Sequence, residues 1–350
     1  MASEILIYGA TGYTAKLIIA LARERGADLV LAGRSETGVR QIAKSNNMDA
    51  QVFGLDDRDG LDAALSEVAV VLHCAGPFSH TSKQMVDACI RNRRHYLDIT
   101  GEIDVFEACA ARSAAAADNG VMLLPGVGFD VVPSDCLAAH VASKVAAPNR
   151  LTLAIAGPNK RSRGTAKTGV EGIGRGLRVR RGGQIVRLKN PIRREIAFGN
   201  RNLPCVTLSW GDVATAYYST GAKDIEVLFE SVPEIEQVVK LSQFMRFLLA
   251  TGPAQKMLKR RIDKQPEGPD ARERAQGSAT IFAEVVDADG ASARAILRMG
   301  DAYSFTADSA LTVAMTVASG NHKPGFQTPS QVFGADFVLG LKDVTREDIN

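Results

Sequence analysis

A glycine-containing turn near the N-terminus constrains the fold of this chain more than any other feature. The apolar run Glu4–Tyr8 is rich in strand-forming residues, and the turn Gly9–Gly12 leads directly into a helical apolar pattern over Thr14–Arg25. Glycines there permit a tight turn and close approach of the backbone to a diphosphate, and the small Ala15 permits close packing of helix on strand. The helix N-terminus also favours an anion. The turn predicts nucleotide binding; the alternative is a purely structural turn.

The pattern of a short apolar run followed by a helical stretch then repeats. This alternation predicts βαβ units, and hence an α/β fold with a doubly wound parallel sheet. After about Pro133 the pattern changes, and two strands flanking Asp287–Gly290 predict a hairpin in a second domain with an antiparallel or mixed sheet. The further strands predicted in the first part are Leu29–Ala32, Gln51–Phe53, Ala69–Cys74, Tyr96–Asp98 and Val121–Leu124.

Composition excludes several classes of protein. A length of 350 residues suggests two domains at about 150 residues each. A net charge of +3 is too balanced for a nucleic-acid binder. No run approaches the ~18 apolar residues of a membrane span, and no signal peptide is expected. Five scattered cysteines favour reduced thiols and a cytoplasmic location, and no cysteine or histidine spacing indicates a metal site.

The end of the second predicted strand indicates which dinucleotide is bound. An acidic residue there would accept hydrogen bonds from the ribose hydroxyls of NAD. This chain has Arg34 and Ser35 instead. A guanidinium cannot accept a hydrogen bond but binds a phosphate well, so the pair predicts NADP. The alternative for Arg34 is a solvated loop side chain.

Other candidate site residues follow the fourth, fifth and sixth predicted strands. Ligands of open parallel sheets bind outside the carboxyl ends of the strands. The small-residue turn Cys74-Ala75-Gly76-Pro77 is therefore expected to approach the ribose and nicotinamide, or else to be a structural loop. Tyr96, Asp98, Glu102 and Asp130 are the polar groups expected to face a substrate, although Glu102 could instead favour a helix N-terminus and Asp130 could accept loop N–H groups.

Two charged segments stand out in the second part of the chain. Residues 158–201 contain 13 basic and two acidic residues, which predicts attraction to an anionic partner such as an acyl carrier, coenzyme A, phospholipid headgroups or a phosphorylated substrate. The alternative is a solvated, arginine-rich helix and hairpin. Lys259–Arg274 is charged and contains two prolines, so an exposed linker is expected there.

Taken in order, six motifs resemble the saccharopine dehydrogenase-like NADP-binding oxidoreductase family, and within it the trans-acting enoyl reductases. They are GATGYTAKL, AGRS, CAGPF, YLDITGE, PGVGFDVVPSD and GFQTPSQVFGADFV. The resemblance implies a Rossmann domain (1–133 and 301–350) interrupted by a mixed α+β domain (134–300) that forms a homodimer. It assigns cofactor contacts to Gly9, Thr11, Gly12, Tyr13, Thr14, Arg34, Ser35, Ala75, Gly76 and Pro77, to which we add Cys74.

The resemblance also implies hydride transfer, either to an enoyl double bond or to an imine as in saccharopine formation. Residues that would bind two amino acids by their carboxylates cannot be matched here, which favours a less polar acceptor that is small or carried on an acyl carrier. A non-catalytic NADP-sensing or membrane-peripheral binding protein is the rival hypothesis. The basic segment allows peripheral membrane contact, but no integral membrane segment is expected.

Overall fold

The computed structural model describes residues 4–157 and 161–349, and the predicted apolar runs form strands. In chain order the strands are β1 (Ile5–Tyr8), β2 (Leu29–Gly33), β3 (Asp49–Val52), β4 (Val70–His73), β5 (His95–Asp98), β6 (Met122–Leu124), β7 (Pro148–Ala156), β8 (Arg178–Arg181), β9 (Gln184–Arg187), β10 (Arg193–Ala197), β11 (Asn202–Thr207), β12 (Asp224–Glu230), β13 (Ala279–Asp287), β14 (Ser292–Met299), β15 (Gly325–Phe326) and β16 (Thr345–Ile349).

Helices separate most of these strands. In chain order they are α1 (Tyr13–Glu24), α2 (Glu36–Asn46), α3 (Arg58–Ser66), α4 (Phe78–Asn92), α5 (Ile103–Ala110), α6 (Ser113–Asp118), α7 (Val132–Ala142), α8 (Arg163–Gly172), α9 (Asp212–Thr220), α10 (Pro233–Val239), α11 (Gln243–Leu249), α12 (Gly252–Ile262), α13 (Ala271–Gln276), α14 (Ala302–Ala318) and α15 (Pro329–Phe333). Short 3₁₀ turns lie at Ile173–Arg175 and Phe337–Gly340.

The chain divides into two units. The first unit comprises Met1–Val132 and Tyr303–Gly334, and the second comprises Pro133–Ala302 and Ala335–Asn350. Each unit contains one sheet of its own, described separately below.

The sheet of the first unit has seven parallel strands in the order β15-β6-β5-β4-β1-β2-β3. β1, β2 and β4 are buried along their whole length, because helices alternate with the strands and cover both faces. The strand order reverses at β1, and a dinucleotide binds at such a reversal in doubly wound sheets. The predicted doubly wound parallel sheet is confirmed.

The sheet of the second unit is mixed. Its main strand order is β10-β11-β12-β7-β13-β14-β16, and β8 joins it by pairing with β12 and with β9. β12 and β7 are parallel, whereas the other pairings are antiparallel. The predicted hairpin is β13–β14, and the Asp287 carboxylate stabilises its turn by accepting hydrogen bonds from Asp289 N and Ala291 N, both at 2.9 Å. The predicted mixed second domain is confirmed.

Two expectations about chain organisation require correction. Residues 335–350 were expected to lie with the Rossmann domain, but they belong to the second unit because β16 pairs with β14 there. Lys259–Arg274 is not a continuous linker. α12 continues to Ile262, and α13 starts after Asp270, whose side chain forms a reciprocal capping box with Glu273.

Further observations concern membrane spans and thiols. No helix in the described ranges combines the length and hydropathy needed to cross a bilayer. All five cysteines are free thiols, and four of them are buried.

Candidate functional site

The glycine turn after β1 is built for close approach of backbone to backbone. Gly9 has φ +88°, and a Cβ atom at this position would lie 2.8 Å from the backbone nitrogen of Ala75. Gly12 N donates to Gly9 O at 2.9 Å, which closes the turn immediately before α1. Any side chain at position 9 would be strained and would also separate the two loops. The turn therefore brings the ends of β1 and β4 together.

The N-terminus of α1 suits a phosphate group. Gly12 is the N-cap residue, no side chain caps the helix, and its first turn contains no acidic residue. Such a helix end presents backbone N–H groups and the positive end of the helix dipole. Tyr13 and Thr14 are the first two residues of this helix, and the Tyr13 ring packs edge-on against Tyr303 at 5.2 Å. The predicted phosphate turn thus has the required local geometry.

The residues that follow β2 form a polar, positively charged site. Arg34 is exposed, and its guanidinium has no hydrogen-bond or ion-pair partner within residues 4–157 and 161–349. Ser35 caps α2, its hydroxyl accepting from Gly38 N at 3.4 Å. A Cβ atom on Gly38 would lie 2.9 Å from Thr11 Cγ2 and 3.1 Å from Ser35 Oγ, so Thr11 and Ser35 flank that glycine. Two hydroxyls and an unpaired guanidinium fit the 2′-phosphate of NADP.

Thr81 of α4 stabilises the turn Cys74–Pro77 through its side-chain hydroxyl. The Thr81 hydroxyl donates to Ala75 O at 2.7 Å and lies 2.9 Å from His73 Nε2. Because the threonine proton is directed to the carbonyl, Nε2 of His73 is assigned as the N–H donor to Thr81 Oγ1. Complete burial lowers the pKa of His73 to about 3, so its imidazole is neutral. His73 and Thr81 therefore fix the turn expected to approach the nicotinamide.

Glu102 fixes the other end of the same turn. Its carboxylate accepts from Phe78 N at 2.8 Å and from Ser79 N at 3.2 Å. These N–H groups belong to the first turn of α4, where a negative charge is favoured by the helix dipole. Glu102 is 7% exposed, and its placement differs from the expectation that it faces a substrate. Its geometry is that of a cap on α4, not on the helix that follows it.

Tyr96 and Asp98 form a buried pair. The Tyr96 hydroxyl donates to Asp98 Oδ2 at 2.6 Å, and Asp98 Oδ1 accepts from Thr100 N at 2.9 Å and Gly126 N at 2.8 Å. Both side chains are 0% exposed, which also differs from the expected contact with a substrate. Burial raises the pKa of Asp98 to about 6, against the opposing effect of these hydrogen bonds. The pair joins the end of β5 to the segment after β6.

Asp130 is the predicted acid that remains accessible. It is half-buried, and its carboxyl accepts no hydrogen bond from the described residues. A Cβ atom on Gly101 would lie 2.5 Å from Asp130 Oδ2, so the absence of a side chain at 101 leaves space for the carboxyl. Burial raises the pKa of Asp130 to about 7. An unpaired carboxyl that changes charge near neutral pH can donate or accept a proton.

Residues of α14 support the loop before Asp130, and the sequence analysis did not identify them. Thr306 Oγ1 accepts from Phe129 N at 3.0 Å, and the Ser309 hydroxyl donates to Val127 O at 2.5 Å. Gly128 is needed here because its Cβ would lie 2.7 Å from Thr306 Cγ2. These contacts join residues about 180 positions apart in the chain, and a local sequence pattern cannot predict such pairs.

Part of the basic segment is neutralised within the second unit. Arg181 and Arg194 both pair with buried Glu226, and Arg193 pairs with Glu236. Arg180 is itself buried, and its guanidinium lies 4.4 Å from the centre of the Tyr217 ring. Residues 158–160, including Lys160 of the predicted basic segment, lie outside the described residues. The net positive field of this segment is therefore weaker than its composition suggests, and its anionic partner stays a prediction.

Comparison with known proteins identifies the first unit. Residues 5–124 match the family model described as the saccharopine dehydrogenase NADP binding domain. Over these residues the chain resembles a saccharopine dehydrogenase NADP-binding domain. The match covers the glycine turn, Arg34 and the Cys74–Pro77 turn, so the predicted family resemblance and the predicted NADP cofactor are both confirmed.

Relatives of this chain include proteins named trans-acting enoyl reductases. One from Mycobacterium leprae (strain TN) is 34% identical over 141 residues, which covers 38% of this chain and 34% of the relative. One from Mycobacterium tuberculosis (strain H37Rv) is 33% identical over 146 residues, with the same coverage. The match thus spans about a third of the length of these curated relatives.

A solved structure extends the likeness to the whole fold. The apo saccharopine dehydrogenase (L-Glu forming) from Saccharomyces cerevisiae superposes with a TM-score of 0.65, covers 99% of each chain and is 12% identical in sequence. At that identity the likeness establishes the fold alone. It supports a parallel-sheet unit accompanied by a mixed-sheet unit.

Proposed function

We propose that this chain is an NADPH-dependent reductase that transfers a hydride to the carbon–carbon double bond of an enoyl acceptor. The observation that carries the proposal is the carboxyl edge of the first sheet, where the glycine turn, unpaired Arg34 and accessible Asp130 follow strands of one parallel sheet. The names of the mycobacterial relatives support the enoyl acceptor. NADPH, when bound, supplies the hydride.

The residues of this edge divide into binding and positioning groups. The N-terminus of α1 binds the diphosphate, and Arg34 with Ser35 and Thr11 binds the 2′-phosphate. Glu102 and Thr81 hold the turn Cys74–Pro77 in place, so that this turn positions the nicotinamide end. Positioning of this kind lowers the entropic cost of the reaction without new chemistry.

Asp130 is the proposed proton donor. Reduction of an enoyl bond adds a hydride to one carbon and a proton to the other, and the protonated carboxyl of Asp130 can supply that proton. Its pKa of about 7 leaves a substantial protonated fraction at neutral pH. Tyr96 and Asp98 are assigned a structural role, because both are completely buried and already hydrogen-bonded to one another.

An uncharged acceptor fits this edge better than an amino acid. Asp130, the predicted substrate-facing group that remains accessible, is an acid and not a cation. Carboxylates of amino-acid substrates are recognised by cations such as arginine. An enoyl group held as a thioester, small or carried on an acyl carrier, has no such requirement. The homodimer and the cytoplasmic location stay predictions.

The test is NADPH oxidation by the purified full chain, followed at the nicotinamide absorbance with two acceptor panels. We expect turnover with enoyl thioesters and none with 2-oxo acids plus amines. Turnover only with the second panel would replace the enoyl hypothesis by imine reduction. Tight NADPH binding without turnover in either panel would favour the NADP-sensing hypothesis.

A matched pair of variants then tests the proton donor. Asp130→Asn should lower kcat with the enoyl acceptor by 10²-fold or more, the range of general acid catalysis. NADPH affinity should stay unchanged. Asp118→Asn removes an exposed acid of the same unit and should leave kcat unchanged. Equal rates for the two variants would remove Asp130 from the mechanism.

A further inference from the structure

Helix α11 in the second unit exposes large apolar side chains. Phe244 and Phe247 are each 73% exposed, and Leu248 is 47% exposed. The helix has no buried residue, so it contributes nothing to the core. Six of the nine exposed large apolar residues in the described ranges lie between positions 238 and 257, including Met257 of α12. Isolated exposed apolar residues are ordinary, but a cluster of this kind marks an interaction surface.

The single charge of α11 does not shield this cluster. The Arg246 guanidinium donates to Leu241 O at 3.0 Å, Val238 O at 2.9 Å and Val239 O at 3.1 Å. It is therefore turned toward the carbonyl groups at the C-terminal end of α10. Ser242 is the N-cap residue of α11, and its hydroxyl accepts a hydrogen bond from Met245 N at 3.2 Å. The helix is thus anchored by polar contacts while its apolar face is left in water.

Helix α12 follows α11 in the chain and carries unpaired cations around the exposed Met257. Lys259 of α12 pairs with Glu171, and the acid at the end of the helix, Asp263, pairs with Lys167. Both acids are therefore already neutralised. The other cations of this segment are exposed and have no ion pair within the described ranges. Together with Pro253 and Met257 they line a surface groove of about 350 Å³. These cations are Lys256, Arg260 and Arg261 of α12, and Lys264, which follows the helix.

We propose that α11 and α12 form a docking surface for an anionic lipid bilayer. Phe244, Phe247 and Leu248 would enter the headgroup region, and the four unpaired cations, three in α12 and Lys264 just after it, would bind lipid phosphates. Interfacial helices combine exposed phenylalanine and leucine with lysine and arginine in this way. Stable attachment of a peripheral protein needs two such signals, one apolar and one electrostatic.

Charge complementarity favours a lipid surface over a second copy of the chain. Residues 240–264 contain seven basic residues and one acidic residue. A two-fold interface through this patch would bring the same cations of both copies together, because such interfaces pair one patch with itself. An anionic bilayer instead offers a continuous layer of negative charge.

The experiment is co-sedimentation of the full chain with phosphatidylcholine vesicles, with and without phosphatidylglycerol. We expect binding to the anionic vesicles at low salt, at least tenfold weaker binding to neutral vesicles, and loss of binding at high salt. Absence of binding to anionic vesicles at low salt, with the chain folded by circular dichroism, would overturn the proposal.

Two pairs of variants separate the apolar and the electrostatic contributions. Phe244→Ser with Phe247→Ser and, separately, Arg260→Gln with Arg261→Gln should each weaken vesicle binding tenfold or more. The matched controls, Met315→Ser with Leu339→Ser and Arg23→Gln with Lys44→Gln, change exposed residues elsewhere in the chain and should bind normally. All the changed side chains are exposed, so the unfolding temperatures should stay close to that of the parent chain.

Two outcomes would assign the surface to another partner. If the phenylalanine variant changed the sedimentation coefficient of the chain without lipid and vesicles did not bind, the patch would be a contact between copies. If an acidic carrier protein bound and vesicles did not, the surface would recognise protein. Both outcomes would overturn the lipid proposal without affecting the proposed reductase activity.

Discussion

The carboxylate of Glu102 accepts a hydrogen bond from the backbone N–H of Phe78 at 2.8 Å, although the two residues lie 24 positions apart. Glu102 follows β5 and Phe78 begins α4, so the contact connects the ends of neighbouring parallel strands. The turn Cys74–Pro77 lies immediately before Phe78. Its position relative to the glycine turn therefore depends on a residue that follows a different strand.

Glu102→Gln should lower both stability and cofactor affinity. An amide oxygen can accept from Phe78 N or Ser79 N, but the amide nitrogen would face the other N–H group, and the charge that favours the helix dipole is lost. We expect a loss of about 1–3 kcal/mol in the free energy of unfolding. Urea unfolding and NADPH titration measure the two effects. Glu24→Gln, an exposed change on α1, should alter neither, and equal effects of both variants would contradict the capping role.

Arg34→Ala should weaken NADPH binding selectively. Charge-assisted hydrogen bonds contribute about 1.5–3 kcal/mol, so the affinity for NADPH should fall by roughly 10- to 100-fold. NADH lacks the 2′-phosphate, and its weaker binding should be unchanged. Calorimetric titration with both cofactors measures the difference. Lys44→Ala on α2 removes another exposed cation and serves as the control. An equal loss for both cofactors would mean that Arg34 does not contact the 2′-phosphate.

The local part of the site was predictable from the sequence. The glycine turn, Arg34 and the ends of the parallel strands follow from rules that act over a few residues, since strand, turn and helix start are encoded together. The alternation of Tyr96 and Asp98 also places both side chains on one face of β5, as the structure has them. What the sequence could not indicate is that this face is buried, because burial depends on the elements packed against it.

The long-range part of the site was not predictable. Thr306 and Phe129 meet because α14 returns to the first unit after the long segment Pro133–Ala302 of the second unit. The assignment of residues 335–350 to the Rossmann domain needed correction for the same reason. β16 joins β14 through an antiparallel register, and a single sequence contains no signal that would have preferred this partner over the first sheet. Both errors concern which elements are neighbours, not what the elements are.

The unfolding free energy should respond to pH through Asp130. Its pKa in the folded chain is about 7, above the ordinary value of 3.8 for an aspartate, so the folded state holds more protons between these values. Stability conferred by the neutral carboxyl is therefore complete at low pH and declines as pH rises toward 7. Asp130→Asn removes this dependence, so the variant should gain stability relative to the parent at pH 8 more than at pH 5.

Urea unfolding at the two pH values measures this difference. Asp98 also has a raised pKa, about 6, and contributes a slope of the same sign in both proteins. The comparison therefore concerns the difference between parent and variant, not the slope itself. A difference that stays constant between pH 5 and pH 8 would show that Asp130 titrates as an ordinary exposed acid.

Tyr96→Phe should destabilise the first unit. It removes the hydroxyl that donates to Asp98 Oδ2 at 2.6 Å and leaves a completely buried carboxyl oxygen without that donor. The expected cost is about 1–3 kcal/mol in the free energy of unfolding. The hydrogen bond from Tyr96 lowers the pKa of Asp98, so that pKa should rise further in the variant. Thermal unfolding measures the cost, and Tyr8→Phe, which removes a longer 3.3 Å bond to Phe53 O, should cost less.

Glu226→Gln should destabilise the second unit by about 3–5 kcal/mol, because it breaks a buried charge cluster by removing one partner. The Glu226 side chain is 1% exposed and lies 2.8 Å from Arg181 and 2.7 Å from Arg194. Glutamine keeps the shape but leaves two guanidinium groups, each only about a third exposed, without their shared counter-charge. Glu284→Gln removes a cross-strand pair with the more exposed Arg294 and should cost at most about 1 kcal/mol.

Urea unfolding of both variants at low and high salt measures the loss of unfolding free energy that each substitution causes. Salt screens an exposed pair but hardly reaches a buried one, so the Glu226 effect should persist at high salt. Equal costs for the two variants would mean that Glu226 behaves as a surface residue.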